Sequence, residues 1–377
     1  MLLARLALVA ALVAAGSAAP AAEHWVFFGT YTGKGDKDSR GIYRAKFDDA
    51  TGKLSELTLA AEMDSPSFVA VHPNKKFLYA VGEGGDQRGG PVVAFSLDAK
   101  SGSLVKLNEQ LSGGSGPCHL SLDATGHQLA AANYGGGSTV VFDIGEDGKI
   151  GRQAGFLQHK GSSVNKDRQK EPHAHCTQFF PQLGYLLTAD LGTDRVYVFS
   201  NSSKGGLFRS QGNSDVEMPA GSGPRHFAVA PDGKFGYVCG ELDSTVNVVE
   251  FGWAKGNKVV QSLSTLPQPT KGNSTAECIL SADGKFVYVS NRGHNSVAVF
   301  KVGEDRKLTA AGHITGDIKT PRNFNIDPSG KWMLIASQDG GKVGVWELDA
   351  KTGGAKEAGT TVAVGKCVCV KFVPAAK

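Results

Sequence analysis

The sequence predicts an all-β protein built as a seven-bladed β-propeller. Three observations point there. Glycine is frequent, at 50 of 377 residues, without a fixed period, which is typical of many tight turns. Short segments rich in aromatic and β-branched residues recur about every 50 residues, as in propellers. Finally, the two ends of the chain supply complementary parts of one further repeat.

The repeat is clearest in residues 221–242. Two apolar arms, 226–230 and 235–239, flank the sequence Pro-Asp-Gly-Lys, in which Pro presets φ and Gly accepts a positive φ, as a β-turn requires. The stretch therefore predicts a β-hairpin. Pairing of the arms would bring Arg225 and Glu241 together at its open end, to within one residue of register.

Five other segments align with residues 225–241 without a gap, at 67–83, 118–134, 175–191, 276–292 and 322–338. Each of the six is followed by an apolar segment, at 92–97, 139–144, 195–199, 245–251, 296–302 and 342–348. A glycine-containing turn and a more polar fourth strand come next, for example at 104–111 and 307–314. The pattern predicts six complete four-stranded units, which we number as blades 1–6.

The leftover segments predict blade 7. Residues 368–374 match only a first strand, whereas 25–31 match a second strand, followed by 41–47 and 54–62 as third and fourth. A repeat shared between the chain ends closes a propeller ring and hides its edge strands. We therefore expect a single domain over 23–377. Two separate sandwiches would not explain the split repeat, and no Trp-Asp or Gly-His signature of WD40 repeats recurs.

Residues 1–22 have the form of a secretory signal peptide. Arg5 precedes the apolar run 6–15 and then a stretch of small residues with Ala-Pro-Ala at 19–21. This predicts a mature chain that starts at Ala22 or Glu23 and is exported, to the periplasm. A membrane anchor is the alternative, but the apolar run is too short to span a bilayer.

The amino-acid composition limits the classes of partner that the protein is expected to bind. The 40 basic and 36 acidic residues are nearly balanced and scattered, which does not favour nucleic acid. The six cysteines lack metal-ligand and CxxC spacing and are expected to be small buried hydrophobes. We expect no cofactor, no membrane contact after signal cleavage, and a monomer.

The gapless register also predicts a site. In a propeller the first strand of each blade lines the central channel, and the open ends of the first hairpins meet at one mouth. The position of Arg225 holds, in blades 1–7, Ser67, Cys118, His175, Arg225, Ala276, Arg322 and Val368. The position of Glu241 holds, from blade 7 onward, Tyr31, Glu83, Tyr134, Leu191, Glu241, Arg292 and Gln338. The strand interiors between them are read as uniformly apolar, so the chemistry is expected at this mouth.

Blades 3–6 contribute most of the candidate residues: His175, Arg225, Glu241, Arg292, Arg322 and Gln338. Three arginines beside one carboxylate predict a pocket for a small anionic ligand, with Tyr134 as an aromatic wall. Glu241 or His175 could activate water while an arginine stabilises an oxyanion. Alternatively, Arg225 and Glu241 form a cross-strand ion pair that only fastens one blade. His226 and His119 share a register position, which favours a structural role for both.

The loop 158–172 is the longest connector. It carries Lys160, Lys166, Arg168 and Lys170 and leads into His173 at the predicted mouth. It is either a basic flap over an anionic substrate or a solvated surface loop. Since the mouth offers arginines rather than converging oxygens, no metal is expected there.

At these residues the chain resembles the seven-bladed propeller lactonase family, which includes bacterial 6-phosphogluconolactonases and fungal carboxy-muconate cyclases. The resemblance covers the mature chain. It rests on Gly-Thr-Tyr-Thr at 29–32, Ala-Asn-Tyr-Gly-Gly-Gly-Ser at 132–138, Arg-Gln at 168–169, Pro-His-Ala-His at 172–175, Gly-Pro-Arg-His at 223–226, Glu-Leu at 241–242, Asn-Arg at 291–292 and Pro-Arg-Asn-Phe at 321–324.

The resemblance implies a site of His175 (or His173), Arg225, Glu241 and Arg292, and no metal. We predict these four, with His175, as the catalytic residues, and substrate contacts at His173, Tyr134, Arg322 and Gln338. The resemblance also implies hydrolysis of a small sugar-derived or anionic lactone. Two alternatives stay open, namely a lactonising or isomerising enzyme acting on a dicarboxylate and a propeller that binds a ligand without turnover. The relatives in the cytoplasm act on a phosphorylated lactone. Because export is predicted for this chain, the resemblance does not decide whether its own lactone carries a phosphate.

Overall fold

The computed structural model describes residues 22–35, 38–86, 88–180, 184–201, 208–210 and 214–375. The predicted signal peptide falls on residues outside this part except for Ala22, so its cleavage and export stay predictions. In the described residues, no helix has both the length and the apolar character needed to cross a membrane.

Seven antiparallel sheets are arranged as the blades of a propeller. Blades 1 and 2 consist of Phe68–Val71, Phe77–Val81, Pro91–Leu97 and Leu104–Leu111, then Pro117–Leu122, Gln128–Asn133, Ser138–Ile144 and Ile150–Gln158. Blades 3 and 4 consist of Ala174–Phe180, Tyr185–Asp190, Arg195–Asn201, Phe208–Ser210 and Val216–Glu217, then Pro224–Val229, Phe235–Gly240, Thr245–Phe251 and Asn257–Ser264. Blades 5 and 6 consist of Thr275–Leu280, Phe286–Asn291, Ser296–Val302 and Leu308–Ile314, then Pro321–Ile326, Trp332–Ser337, Lys342–Leu348 and Ala355–Ala363. A short 3₁₀ helix, Trp253–Lys255, lies in blade 4.

Blade 7 joins the chain ends, as the sequence predicted. Its first strand, Cys367–Pro374, pairs antiparallel with Glu23–Thr30, and Gly41–Asp48 follows outward. The predicted fourth strand 54–62 is wrong as a single element. It is interrupted at 55–57 and forms Lys53–Leu54 and Thr58–Glu62, which both pair with the third strand. Ser55 interrupts it because its amide and hydroxyl both bond the main chain of Lys46, at 2.9 Å each.

A β-bulge recurs near the open end of the first hairpin in blades 2–7. In blade 4 the register shifts by one between Pro224↔Gly240 and Phe227↔Val238, so an extra residue is accommodated at Arg225 and His226. A bulge re-aims side chains that would otherwise alternate across the strand. It explains why Arg225 and His226, although consecutive, both border the cavity at the channel mouth.

Apolar residues of adjacent blades pack face to face. One cluster joins Tyr237 and Val248 of blade 4 to Val287 and Phe300 of blade 5, all buried. Aromatic and aliphatic side chains of the facing sheets are thereby removed from water together. The blades thereby hold the channel-lining strands in fixed positions.

The turn glycine Gly148 shows how closely neighbouring blades approach. Its φ is 77°, and an added Cβ would lie 2.3 Å from the Phe77 ring of the preceding blade. We expect Gly148→Ala to lower the free energy of unfolding by about 1–3 kcal/mol through overpacking, beyond the strain of the positive φ. Gly284→Ala is the matched control, since its φ is 70° but no atom lies within 4 Å of the added Cβ. Equal losses for the two variants in urea unfolding would contradict the packing argument.

Candidate functional site

The channel mouth holds a small cavity. It is lined by residues at the register positions of Arg225 and Glu241, which together we call the ring. Six of the seven residues at the register position of Arg225 line it: Ser67, Cys118, His175, Arg225, Arg322 and Val368. Tyr31 and Glu83, from the register position of Glu241, also line it. The repeat alignment therefore predicted most of the lining of this cavity.

Glu241 is buried, with 5% of its surface exposed, and three guanidinium groups surround its carboxylate. Arg225 Nε lies 2.9 Å and Arg292 Nη2 lies 3.1 Å from Oε2, while Arg168 Nη2 donates to Oε1 at 3.1 Å. The network joins blades 4 and 5 to the loop 158–172. The Arg225–Glu241 pair is therefore part of a network that connects two blades and a loop, rather than an ion pair within blade 4 alone.

The charge state of Glu241 follows from this network. Burial alone would raise the pKa of Glu241, but the charges of Arg292, Arg225 and Arg168 outweigh it and lower the pKa to about 2. The carboxylate is thus ionised at neutral pH and strongly stabilised in that form.

Arg225 and Arg292 are also anchored to the main chain. Arg225 Nη1 donates to the carbonyl oxygen of Ala276 at 2.7 Å, and Arg292 Nη2 donates to that of Thr275 at 2.9 Å. Both acceptors lie on the first strand of blade 5. These bonds fix the orientation of Arg225 beside the cavity.

His175 lines the same cavity and is 5% exposed. Its ring meets Tyr134 and His226 edge to face, with centroids 5.6 and 5.1 Å apart. Its Nδ1 is buried without a hydrogen-bond partner in the described part of the chain. Burial, followed by the nearby charge of Arg225, holds the pKa of His175 well below its usual 6.5, so the imidazole is neutral at pH 7.

Tyr134 and His173 form a wall beside the Glu241 network rather than part of the cavity lining. Their rings stack at 4.6 Å, and His173 Nδ1 donates to the Tyr134 carbonyl oxygen at 3.0 Å. Arg168 Nη2 donates to the Tyr134 hydroxyl at 2.8 Å. The two aromatic residues therefore support the position of Arg168.

The loop 158–172 is tethered over the mouth. Asp194 accepts hydrogen bonds from the Ser163 hydroxyl at 2.5 Å and from the amides of Gly221 and Gly223 at 2.6 and 2.7 Å. It thus links the loop to the segment that leads into Arg225. Asp190 accepts from the His173 amide at 2.9 Å at the end of the loop. These contacts favour the flap interpretation, with Arg168 as the basic residue that reaches the site.

Arg322 differs from the other three arginines. Its guanidinium lies 5.4 Å from the centre of the Tyr31 ring and borders the cavity. No ion pair or hydrogen bond of its side chain occurs within the described residues. The nearby carboxylate of Glu83 instead accepts the Tyr31 hydroxyl, at 2.9 and 3.0 Å. Arg322 is therefore a cation with free hydrogen-bonding capacity at the cavity.

Gln338 was predicted at the same ring, but the structure does not bring it into the cavity lining. Its Nε2 donates to Asp339 at 3.3 Å, and its buried Oε1 has no partner in the described residues. Sequence reasoning also left Tyr31 and Glu83 out of the site, although their register position could have identified them. Arg168 was noted as one of four basic loop residues and in the Arg-Gln motif at 168–169, but not as a residue of the site.

The expectation of uniformly apolar strand interiors is wrong one residue below the ring. His119, His226 and Glu277 are buried there, and His226 Nδ1 lies 2.8 Å from Glu277 Oε1. The bulge explains the difference, because it turns consecutive residues toward the channel. A second polar layer therefore lies beneath the cavity.

Fold and site together define a propeller with a buried arginine–carboxylate network and a histidine at one channel mouth. A family model described as "Lactonase, 7-bladed beta-propeller" matches residues 25–372. The chain belongs to this family of lactone hydrolases, which confirms the resemblance stated from the sequence.

Individual relatives cover nearly the whole chain. A 6-phosphogluconolactonase of Bacillus subtilis is 35% identical over 92% of this chain and 97% of its own. The crystal structure of a putative 6-phosphogluconolactonase from Bacteroides fragilis has a TM-score of 0.86 at 34% identity, covering 93% of this chain and 98% of that one. A periplasmic gluconolactonase of Pseudomonas aeruginosa has a TM-score of 0.87 at 28% identity, covering 94% and 100%.

Proposed function

We propose that this protein hydrolyses a small sugar-derived lactone in the cavity at the channel mouth, with His175 as the general base. One observation carries the proposal. A neutral imidazole without a hydrogen-bond partner in the described residues borders the same cavity as Arg225 and Arg322. A buried polar group left unpaired in this way is suited to bind water or substrate.

In the proposed reaction, His175 removes a proton from a water molecule as the water oxygen attacks the lactone carbonyl carbon. The carbonyl electron pair moves onto oxygen, where the fixed guanidinium of Arg225 stabilises the negative charge. When the tetrahedral intermediate collapses, the ring C–O bond breaks. The protonated His175 then returns its proton to the leaving alkoxide, which yields the open hydroxy acid.

Glu241 is the less suitable base of the two that the sequence offered. Both oxygens of its carboxylate already contact guanidinium groups, whereas His175 Nδ1 has no partner within the described residues. We assign it instead the task of holding Arg225 and Arg292. It is thus a positioning residue in this scheme.

Arg322 suggests an anionic substituent on the substrate. It is a guanidinium without an ion pair among the described residues, and guanidinium groups bind phosphate and carboxylate through paired hydrogen bonds. The relatives from Bacillus subtilis and Pseudomonas aeruginosa differ in name by a phosphate. We therefore propose a 6-phosphorylated or otherwise anionic gluconolactone as the preferred substrate.

A pH-stat assay with glucono-δ-lactone and its 6-phosphate tests this function. We expect acid release well above the spontaneous rate, with a higher kcat/KM for the phosphorylated lactone. The product must be heavier than the substrate by one water, which separates hydrolysis from lactonisation or isomerisation. Tight binding of both lactones without turnover would instead favour a non-catalytic propeller.

Replacement of Arg322 tests the assignment of the anionic group. We expect Arg322→Gln to raise KM for the 6-phosphate by roughly 10- to 150-fold, the equivalent of about 1.5–3 kcal/mol for a hydrogen bond to a charged group. The KM for neutral gluconolactone should change little. Arg306→Gln is the control, since Arg306 pairs with Asp232 away from the cavity. A similar effect on both lactones would remove Arg322 from this role.

A further inference from the structure

The polar layer below the cavity holds a second group of ligand-type side chains. Potential ligand atoms of His119, Cys176 and His226 lie within 4.8 Å of one another, and all three residues are buried. They come from three different blades but share one register position, directly after that of Arg225. His226 borders both the cavity at the channel mouth and the one at the opposite mouth.

His226 is oriented as metal-binding histidines are. Its Nδ1 lies 2.8 Å from Glu277 Oε1, which places the ring proton on Nδ1 and leaves a lone pair on Nε2. Nε2 is buried and has no hydrogen-bond partner within the described residues. A carboxylate that holds the far side of a ligating imidazole fixes its tautomer and raises its basicity.

Cys176 has surroundings that favour a thiolate ligand. His119 Nε2 lies 3.6 Å from its Sγ. Because the Thr177 amide donates to His119 Nδ1 at 3.3 Å, the ring proton of His119 is on Nε2 and points to the sulfur. Gln178 Nε2 also donates to Sγ, at 3.7 Å. Two donors thus converge on the sulfur, and His119 acts through Cys176 rather than as a ligand.

We propose that Cys176 Sγ and His226 Nε2 bind one copper(I) ion between them, with His119 and Glu277 holding the two ligands. Ligand atoms of the two residues lie within 4.8 Å of each other, close to the span of about 4.3 Å that one ion would bridge with bonds of about 2.0 Å to nitrogen and 2.3 Å to sulfur. Thiolate sulfur selects soft ions. A singly charged ion with one thiolate is neutral overall, which suits a buried layer close to Arg225 and Lys371.

Binding replaces the thiol proton. The S–H bond breaks, the Cu–S bond forms, and one proton per ion leaves to solvent without any change of oxidation state. The cavity at the opposite mouth, bordered by His119, His226 and Lys371, supplies the route of entry.

The test measures copper(I) retention by the purified, reduced chain under anaerobic competition with a chromophoric copper(I) chelator. We expect one ion per chain, one proton released, and no retention by Cys176→Ser or His226→Gln. His119→Asn should bind about 10- to 100-fold more weakly, as is usual for a group that supports a ligand. Cys278→Ser is the matched control, because Cys278 is an equally buried thiol whose Sγ donates to the Tyr237 carbonyl.

Three outcomes would overturn the proposal. The first is wild-type retention no greater than that of Cys176→Ser, and the second is an equal loss in Cys278→Ser. The third is tighter binding of zinc(II) than of copper(I) by the same residues, which would contradict the choice of a singly charged ion. Because the readout is metal retention, failure of the lactonase assay leaves this result unaffected.

Discussion

His175→Asn is expected to lower kcat for lactone hydrolysis by about 10²- to 10⁴-fold, the usual contribution of a positioned general base. The KM should stay nearly constant, because the arginines that hold the substrate remain in place. Stability should also change little, since the His175 side chain makes no hydrogen bond in the described part of the structure. Steady-state kinetics and thermal unfolding of the same preparation measure both effects.

The pH dependence of lactone hydrolysis is a second test of the role of His175. Burial and the charge of Arg225 lower the pKa of His175, so the base is active above that pKa and is lost as the pH falls through it. The acid limb of kcat/KM should therefore lie well below pH 6.5. His127→Asn, on an exposed turn where its ring bonds Thr125, is the control. A loss in kcat of less than tenfold in His175→Asn would reject His175 as the base.

Glu241→Gln is expected to lower the free energy of unfolding by about 3–5 kcal/mol, because it leaves buried guanidinium groups without their counter-charge. The side chains of Arg225 and Arg292 are 3% and 14% exposed, so water cannot replace the carboxylate. Urea unfolding at pH 7 measures the loss. Glu217→Gln is the matched control, since its pair with Arg195 has a similar length of 2.9 Å but side chains 39% and 77% exposed. Glu217→Gln should lower the free energy of unfolding by less than about 1 kcal/mol.

The stabilisation from Glu241 also has a defined pH window. Its pKa falls from the usual 4.5 to about 2 in the folded chain. Its contribution is therefore present above pH 4.5 and is lost as the pH falls toward 2. Wild-type stability should decline across this window more steeply than that of Glu241→Gln. Unchanged stability with a loss of kcat above about 10³-fold would instead identify Glu241 as the reacting base.

The fold was predictable because each blade repeats one hairpin without a gap. From the sequence alone, that register predicted His175, Arg225 and Arg322 at one mouth and paired Arg225 with Glu241. The split blade followed from the unmatched segments at the chain ends. These inferences need only strand periodicity and turn chemistry, both of which are local properties of the sequence.

Other parts of the site depend on long-range geometry. Arg168 reaches Glu241 across 73 residues of sequence, through a loop whose path is set by Asp190 and Asp194. The recurring bulge is a property of strand pairing and leaves no gap in the alignment, so the sequence did not reveal it. The polar layer of His119, His226 and Glu277 occupies one register position, directly after that of Arg225, so the alignment could have identified it; the expectation of uniformly apolar strand interiors passed over it.

A crystal structure with bound 6-phosphogluconate, the product of the proposed reaction, tests the central claim most directly. We expect the product carboxylate within hydrogen-bonding distance of His175 and Arg225, and the phosphate on Arg322. A product bound at the opposite mouth, or held by Glu241 with His175 out of reach, would contradict the proposed site and its chemistry.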